Sequence, residues 1–234
     1  MKRNVVKITV GLVGVVALIV AGIAGYIWFS GGTAQASAPI QAPDLSTGTG
    51  TLFRINSADS EVRFIIHEML LGEPKTVVGT TDQVAGELRI DFQNPQASQL
   101  GAIRINVRTL ATDNEFRNKA LRGQILQSTQ PEYEFATFTP TQLIGVPEKV
   151  TVGQLVKFQI AGTLNVHGVT RDVTFNAELT LADLTHVTGN AAANVHYKDF
   201  GISIPEAPGV AGIGEEVRLE IAFTAIEDSA VASK

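Results

Sequence analysis

No cysteine occurs among the 234 residues, so disulfides, thiolate metal sites, a cysteine nucleophile and an acylated N-terminal cysteine are all excluded. Positive charge is scarce beyond the start of the chain. Lys2, Arg3 and Lys7 precede the first apolar run, which leaves 15 of the 18 basic residues against 23 acidic ones. With that balance and no basic cluster, the chain lacks the electrostatic attraction that carries nucleic-acid backbone binding, and nucleic acid is not an expected partner. Signatures of catalysis are missing as well: there is no HExxH, no carboxylate cluster and no G-x-S-x-G elbow. No catalytic residue, metal ligand or cofactor is therefore assigned.

What the chain does have begins with an uncharged run from Ile8 to Phe29, rich in Val, Ile, Leu, Ala and Gly. It is long enough to cross a hydrocarbon core of roughly 30 Å as a helix. Lys2, Arg3 and Lys7 would stay cytoplasmic and send the remainder across the membrane, with Tyr26 and Trp28 at the interface. The competing reading is a cleaved secretory signal, because Ala34-Gln35-Ala36 resembles a small-x-small cleavage site, although the run exceeds the usual h-region of about 7 to 15 residues. Residues 1–30 are thus a single-pass anchor or a signal peptide, and cleavage would leave a secreted protein. Both place the domain outside the cytoplasm, in the periplasm or at the cell surface. Gly31 to Gly50, made of Gly, Ala, Ser, Thr, Pro and Gln apart from Ile40, Leu45 and one charge at Asp44, reads as a flexible linker. A β-domain over 51–228 and a disordered tail over 229–234 complete the chain.

Within the domain, two-residue alternation dominates. Val84, Gly86, Leu88, Ile90 and Phe92 form one apolar row, Ile103, Ile105 and Val107 another, Val217, Leu219, Ile221 and Phe223 a third, and Val62, Phe64 and Ile66 a fourth. The stretch from Leu155 to Leu181 can be folded as a hairpin with His167 and Gly168 at the turn. Gly162 then faces Val173, Ile160 faces Phe175, Phe158 faces Ala177 and Val156 faces Leu179 on an apolar side. Lys157 meets Glu178, Gln159 meets Asn176 and Thr163 meets Asp172 on the polar side. A one-residue slip would spoil both faces. One helix interrupts the strands: Thr112 and Glu115 suggest a capping box, Phe116, Ala120 and Leu121 an apolar stripe, and Gly123 a stop. So many half-buried strands with one short helix predict an all-β, closed or nearly closed antiparallel barrel. Gly209 to Gly214 follows Pro205 and Pro208 and leads into a strand rather than a helix, so it reads as a mobile loop at the barrel mouth and not as a phosphate loop.

The segment Gly162-Thr163-Leu164-Asn165-Val166-His167-Gly168-Val169-Thr170-Arg171 resembles the hairpin signature of the YceI family. Phe64-Ile65-Ile66-His67, Gly86 to Phe92, Thr109 to Leu121, Pro131 to Phe138 and Asp199-Phe200-Gly201-Ile202 are similar to further motifs of that family, in order, over about Thr51 to Glu227. The resemblance implies a lipocalin-like, eight-stranded antiparallel barrel whose apolar interior binds a polyisoprenoid or another long-chain lipid, in a typically exported bacterial protein. Phe64, Ile66, Leu88, Ile90, Phe158, Ile160 and Phe175 are then the expected lining residues. Alternation itself does not separate a hollow barrel from one packed by its own side chains. Gly86, Gly162 and Ala177 on the apolar face suit either internal space or a taper.

Arg171, opposite Leu164 on the inward face, is a candidate to meet a phosphate or other polar head, the alternative being a stem packed at the rim with its charge in water. His67 and His167 are expected to fix strand ends by hydrogen bonding. Arg117 is expected to pair with a carboxylate such as Asp113 or Asp199, and Asn114 to serve the helix start. A ligand-free structural or interaction barrel and an isoprenoid-modifying enzyme are the alternative functions. Whether the chain forms a homodimer is left open.

Overall fold

The computed structural model describes residues 2–45 and 48–228, with side chains from Val16 onward. The tail expected at 229–234 lies outside the described residues. A helix α1 (Lys2–Ser30) is followed by β1 (Thr51–Ile55), β2 (Glu61–Leu70), β3 (Glu73–Thr81), β4 (Val84–Ala85), β5 (Glu87–Ile90), β6 (Gln99–Leu100) and β7 (Ile103–Asn106). Then come α2 (Glu115–Ala120), β8 (Phe135–Ile144), β9 (Leu155–Val166), β10 (Val169–Leu181), β11 (His186–His196), β12 (Val210–Ala211) and β13 (Glu216–Glu227).

All strands belong to one sheet, in the order β4-β7-β8-β9-β10-β11-β13-β1-β5-β6, with β2 beside β13, β3 and β12. The path has β4 at one end, while β3 pairs only with β2; yet β3 and β4 are separated only by Asp82 and Gln83. Thr80 and Ala111 also exchange backbone hydrogen bonds of 2.9 and 3.0 Å. The sheet therefore curls round on itself as an antiparallel half-barrel, with its inward side chains facing a common interior.

The expected count of eight strands is not what the sheet shows: it has thirteen among the described residues. The chain breaks its own strands. Asn56 caps a tight turn at Ser57–Asp59 between β1 and β2, and Gly86 separates β4 from β5. Register, by contrast, follows the alternation. Every pair read into the β9–β10 hairpin is present, from Val166 opposite Val169 to Val156 opposite Leu179. Lys157 reaches Glu178 at 2.7 Å and Gln159 donates to Asn176 at 2.9 Å on the outer face. His167 and Gly168, at φ of 53° and 76°, form the left-handed turn that a twisted two-residue hairpin requires.

The helix departs from its expected capping box and stop, while Asn114 serves its start as expected. Asn114, not Thr112, is the N-cap, accepting from the Arg117 amide at 3.0 Å. Thr112 is instead engaged with the Asn118 carboxamide through its amide and its hydroxyl. Gly123 does not stop the helix, because the chain continues past Ala120 as a wider π turn over Leu121–Ile125.

Among the described residues no helix is long and apolar enough to cross a membrane. The side chains described for α1 begin at Val16, so the expected membrane-spanning segment is not found among them. The segment after α1, read from composition as a flexible linker, lies against the barrel instead. Four buried charged residues grip its backbone. Arg122 donates to the Gly31 carbonyl at 3.0 Å, Glu134 accepts from the Ser37 amide at 2.9 Å, and Glu87 accepts from the Leu45 amide at 2.6 Å. Arg89 donates to the carbonyls of Leu45 and Gly50 at 3.2 Å each. Apart from half-buried Ile40 and Leu45 the segment has little apolar surface to bury, and charge-assisted hydrogen bonds to its main chain attach it.

Glu134 is the most enclosed of these carboxylates at 1% exposure. Burial pushes its pKa up, but hydrogen bonds from Ser37 and Asn106 and the Arg108 guanidinium at 3.0 Å outweigh burial and hold it below the ordinary value. A carboxyl lowered in the folded state adds stability that is complete above its unfolded pKa and is lost as pH falls through the folded one. Glu134→Ala should cost about 3 kcal/mol in denaturant unfolding at neutral pH by leaving Arg108 and Asn106 without their shared partner. The difference from wild type should shrink as pH is lowered through the folded-state pKa of Glu134.

Candidate functional site

The inward faces enclose a cavity of about 730 Å³ that runs between the two ends of the barrel. Its wall is overwhelmingly apolar. Phe64 and Ile66 on β2, Leu88 and Ile90 on β5, Phe158 and Ile160 on β9 and Phe175 on β10 all line it. Each falls there because the two-residue period puts alternate side chains inside, and the register of each strand pair fixes which set that is. The ring of Phe175 meets that of Phe138 edge-on at 4.9 Å, giving the middle of the cavity a rigid aromatic wall.

Arg171 is elsewhere. It is opposite Leu164 in register, but its side chain is exposed, lies outside the cavity wall and donates to the neighbouring Thr170 carbonyl at 2.9 Å. The strand end is already at the turn there, so the stem has no interior to enter and the guanidinium remains in water. The histidines divide similarly. His67 lies 3.1 Å from the Thr76 hydroxyl, directly across the β2–β3 pair and inside both strands rather than at an end. His167 instead stacks on Tyr133 at 4.6 Å. Among the described residues no cluster of three or more His, Asp or Glu side chains converges as a metal would require.

Charged groups at the cavity end beside α2 are matched to one another. Arg117 contacts Glu68 at 2.8 Å and Asp113 at 2.7 Å. Glu68 is buried and lines the cavity, so this pairing offsets the cost of bringing a carboxylate next to an apolar space. The Gly209–Gly214 loop is also tied down. Val210 and Ala211 pair with Leu70 and Met69, and Leu71 donates to the Gly209 carbonyl at 2.7 Å.

Two contributions to the wall were not visible in the alternation. The first is the π turn, which brings Ile125 and the following Leu126 to the cavity beside Leu121 of the helix stripe. A five-residue turn in a region patterned as a helix end leaves no periodic signal. The second is Ile27 of α1, 7% exposed and also part of the wall. Its place depends on how the N-terminal helix docks, which no local pattern carries.

The small inward residues have a different role from simple vacancy. A Cβ on Gly79 would lie 2.2 Å from the Phe64 ring, one on Gly189 would lie 2.7 Å from the Phe223 ring, and one on Gly162 would lie 2.7 Å from the Phe138 ring. Gly79 faces Phe64 and Gly189 faces Phe223 directly across their strand pairs. Each glycine is a notch in which an aromatic ring lies flat against the sheet, so that bulky side chains coat the wall without plugging the centre.

The YceI-like domain pattern matches residues 53–225, and the chain belongs to the YceI family. A UPF0312 protein of Photorhabdus laumondii is 32% identical over 101 residues, covering 43% of this chain and 47% of its own length. One from Yersinia enterocolitica is 28% identical over 135 residues, covering 56% of this chain and 65% of its own. The chain thus spans about half to two thirds of the length of these relatives. Among solved structures, a polyisoprenoid binding domain from Saccharophagus degradans aligns with a TM-score of 0.57 at 15% identity, over 77% of this chain and 100% of that one. Burkholderia cenocepacia BcnA aligns with a TM-score of 0.56 at 15% identity, over 73% and 98%. At those identities the similarity establishes the shared fold.

Gly79→Ala should force the Phe64 ring out of its notch and toward the cavity. Unfolding in denaturant should then show a loss of about 1–3 kcal/mol, the usual cost of overpacking a well-fitted interior.

Proposed function

We propose that this protein binds a polyisoprenoid or another long-chain lipid in the barrel cavity, as a carrier or store, outside the cytoplasm. The observation that carries the reading is the 730 Å³ apolar cavity itself. That volume is within the range of roughly 300–1,000 Å³ typical of small-molecule sites, and its form, open along the barrel and lined by Phe, Ile, Leu and Val, suits a flexible hydrocarbon chain. Each methylene taken from water contributes about 0.8 kcal/mol, so a long tail gains enough to offset the ordering of its own bonds. The description of the Saccharophagus degradans neighbour as a polyisoprenoid binding domain supports the same ligand class.

Attachment to a membrane through α1 is the second part of the proposal. Its support is the uncharged run Ile8–Phe29 and the exposure of Leu18, Ile19, Val20, Ile23 and Phe29, apolar side chains turned away from the barrel. The basic residues ahead of that run favour a cytoplasmic start and an extracytoplasmic barrel.

Native mass spectrometry of the full chain released from detergent should reveal adducts of polyprenol mass after incubation with a C55 polyprenol. Phe158→Trp should stay folded, with a melting curve close to wild type, while adduct intensity falls because the indole occupies ligand space. Strong destabilisation with no adduct in either protein would point to a solid, ligand-free barrel instead.

A further inference from the structure

The end of α1 is built into one end of the cavity rather than merely tethered near it. Ile27 forms part of the cavity wall. Immediately after it, main chain packs on main chain: a Cβ at Gly31 would lie 2.6 Å from the Lys119 Cα, and one at Gly123 would lie 2.9 Å from the Ser30 carbonyl carbon. Arg122, 2% exposed, donates to the Gly31 carbonyl and, at 3.0 Å, to Glu115 of α2. The Lys119 ammonium sits 4.6 Å above the Trp28 ring. A close backbone approach closed by a buried arginine fixes the helix relative to the opening.

Beside that opening two large apolar side chains are exposed, among the paired charges of Arg117, Glu68 and Asp113. Leu71, at the β2–β3 turn, is 82% exposed, and Phe116 on α2 is 37% exposed while also lining the cavity. These residues, the β12 loop and the end of α1 all belong to the same end of the barrel, the one marked by the His167–Gly168 turn. The opposite end carries the loop 145–154 with exposed Val152, away from the contacts of α1 with α2 and the π turn.

We infer that α1 seats this end of the barrel on the bilayer that receives the helix, so that lipid passes straight from the membrane into the cavity alongside Ile27, without crossing water. The occupant of the apolar rim is the lipid surface itself, because the exposed apolar face of α1 runs continuously into the cavity wall at Ile27. This rests on the proposed lipid binding and membrane attachment, and adds to them a docking face and a direction of loading. The clamp gives α1 a positioning role in uptake: it sets where the opening lies relative to the acyl chains.

The absence of cysteine makes the geometry directly measurable in full-length protein reconstituted in phosphatidylglycerol–phosphatidylcholine vesicles. Bimane attached after Leu71→Cys should be quenched by brominated acyl chains, whereas bimane attached after Val152→Cys should not. In a second arm, Gly31→Val pushes the helix end, and Ile27 with it, off Lys119 and leaves every strand residue of the cavity wall unchanged. It should slow uptake of a fluorescent polyprenol from its own vesicle at least tenfold, while equilibrium polyprenol binding in detergent stays at the wild-type level. Quenching at position 152 and not at 71, or undiminished uptake by a folded Gly31→Val protein, overturns the docking face. Failure of the wild type to bind polyprenol even in detergent overturns the lipid-binding proposal and this inference with it. Were Gly31→Val not to fold, the quenching pair alone decides the orientation.

Discussion

The structure depends on a two-residue side-chain period imposed on a sheet that curls round on itself. With β3 bridged to the segment before α2 through Thr80 and Ala111, and followed directly by β4 across Asp82–Gln83, one face of each strand is turned inward. Apolar residues on that face leave water together, and polar residues on the other form cross-strand pairs such as Lys157 with Glu178. The hollow centre is the geometric remainder. Side chains rooted on a curved wall and laid against it leave about 730 Å³ between them.

Polar chemistry is correspondingly pushed to the outside and the ends. Arg122, Glu134, Glu87 and Arg89 are buried, but what they hold is the backbone of the 31–50 strap rather than a ligand. Arg117 and Glu68 stand at the cavity end and neutralise each other. The interior is thus left to shape and hydrophobicity, and the ionic contacts fix how the accessory segments sit on the barrel.

The sequence made the periodic part of this legible. The β9–β10 register could be written down pair by pair because both faces of the hairpin checked each other, and the seven apolar residues assigned to the interior are there for the same reason. Features without a period were out of reach. Arg171 has inward parity, but parity says nothing about whether a strand still has an interior beside it at that height. The strap looked like a tether because its own residues are small and polar, and the side chains that hold it are scattered between positions 87 and 134. The split of the expected eight strands into thirteen reflects local turns and breaks, such as the Asn56-capped turn, that alternation passes over.

The pairing of Phe64 with Gly79, and of Phe223 with Gly189, makes the bore of the barrel a property of neighbouring strands jointly rather than of individual positions. A homologue that fills the notch must shrink the ring, and one that enlarges the ring must keep the notch. Divergence in calibre should therefore proceed by coupled exchanges across a rung of the sheet, letting the channel adapt to guests of another girth while the main-chain scaffold stays put.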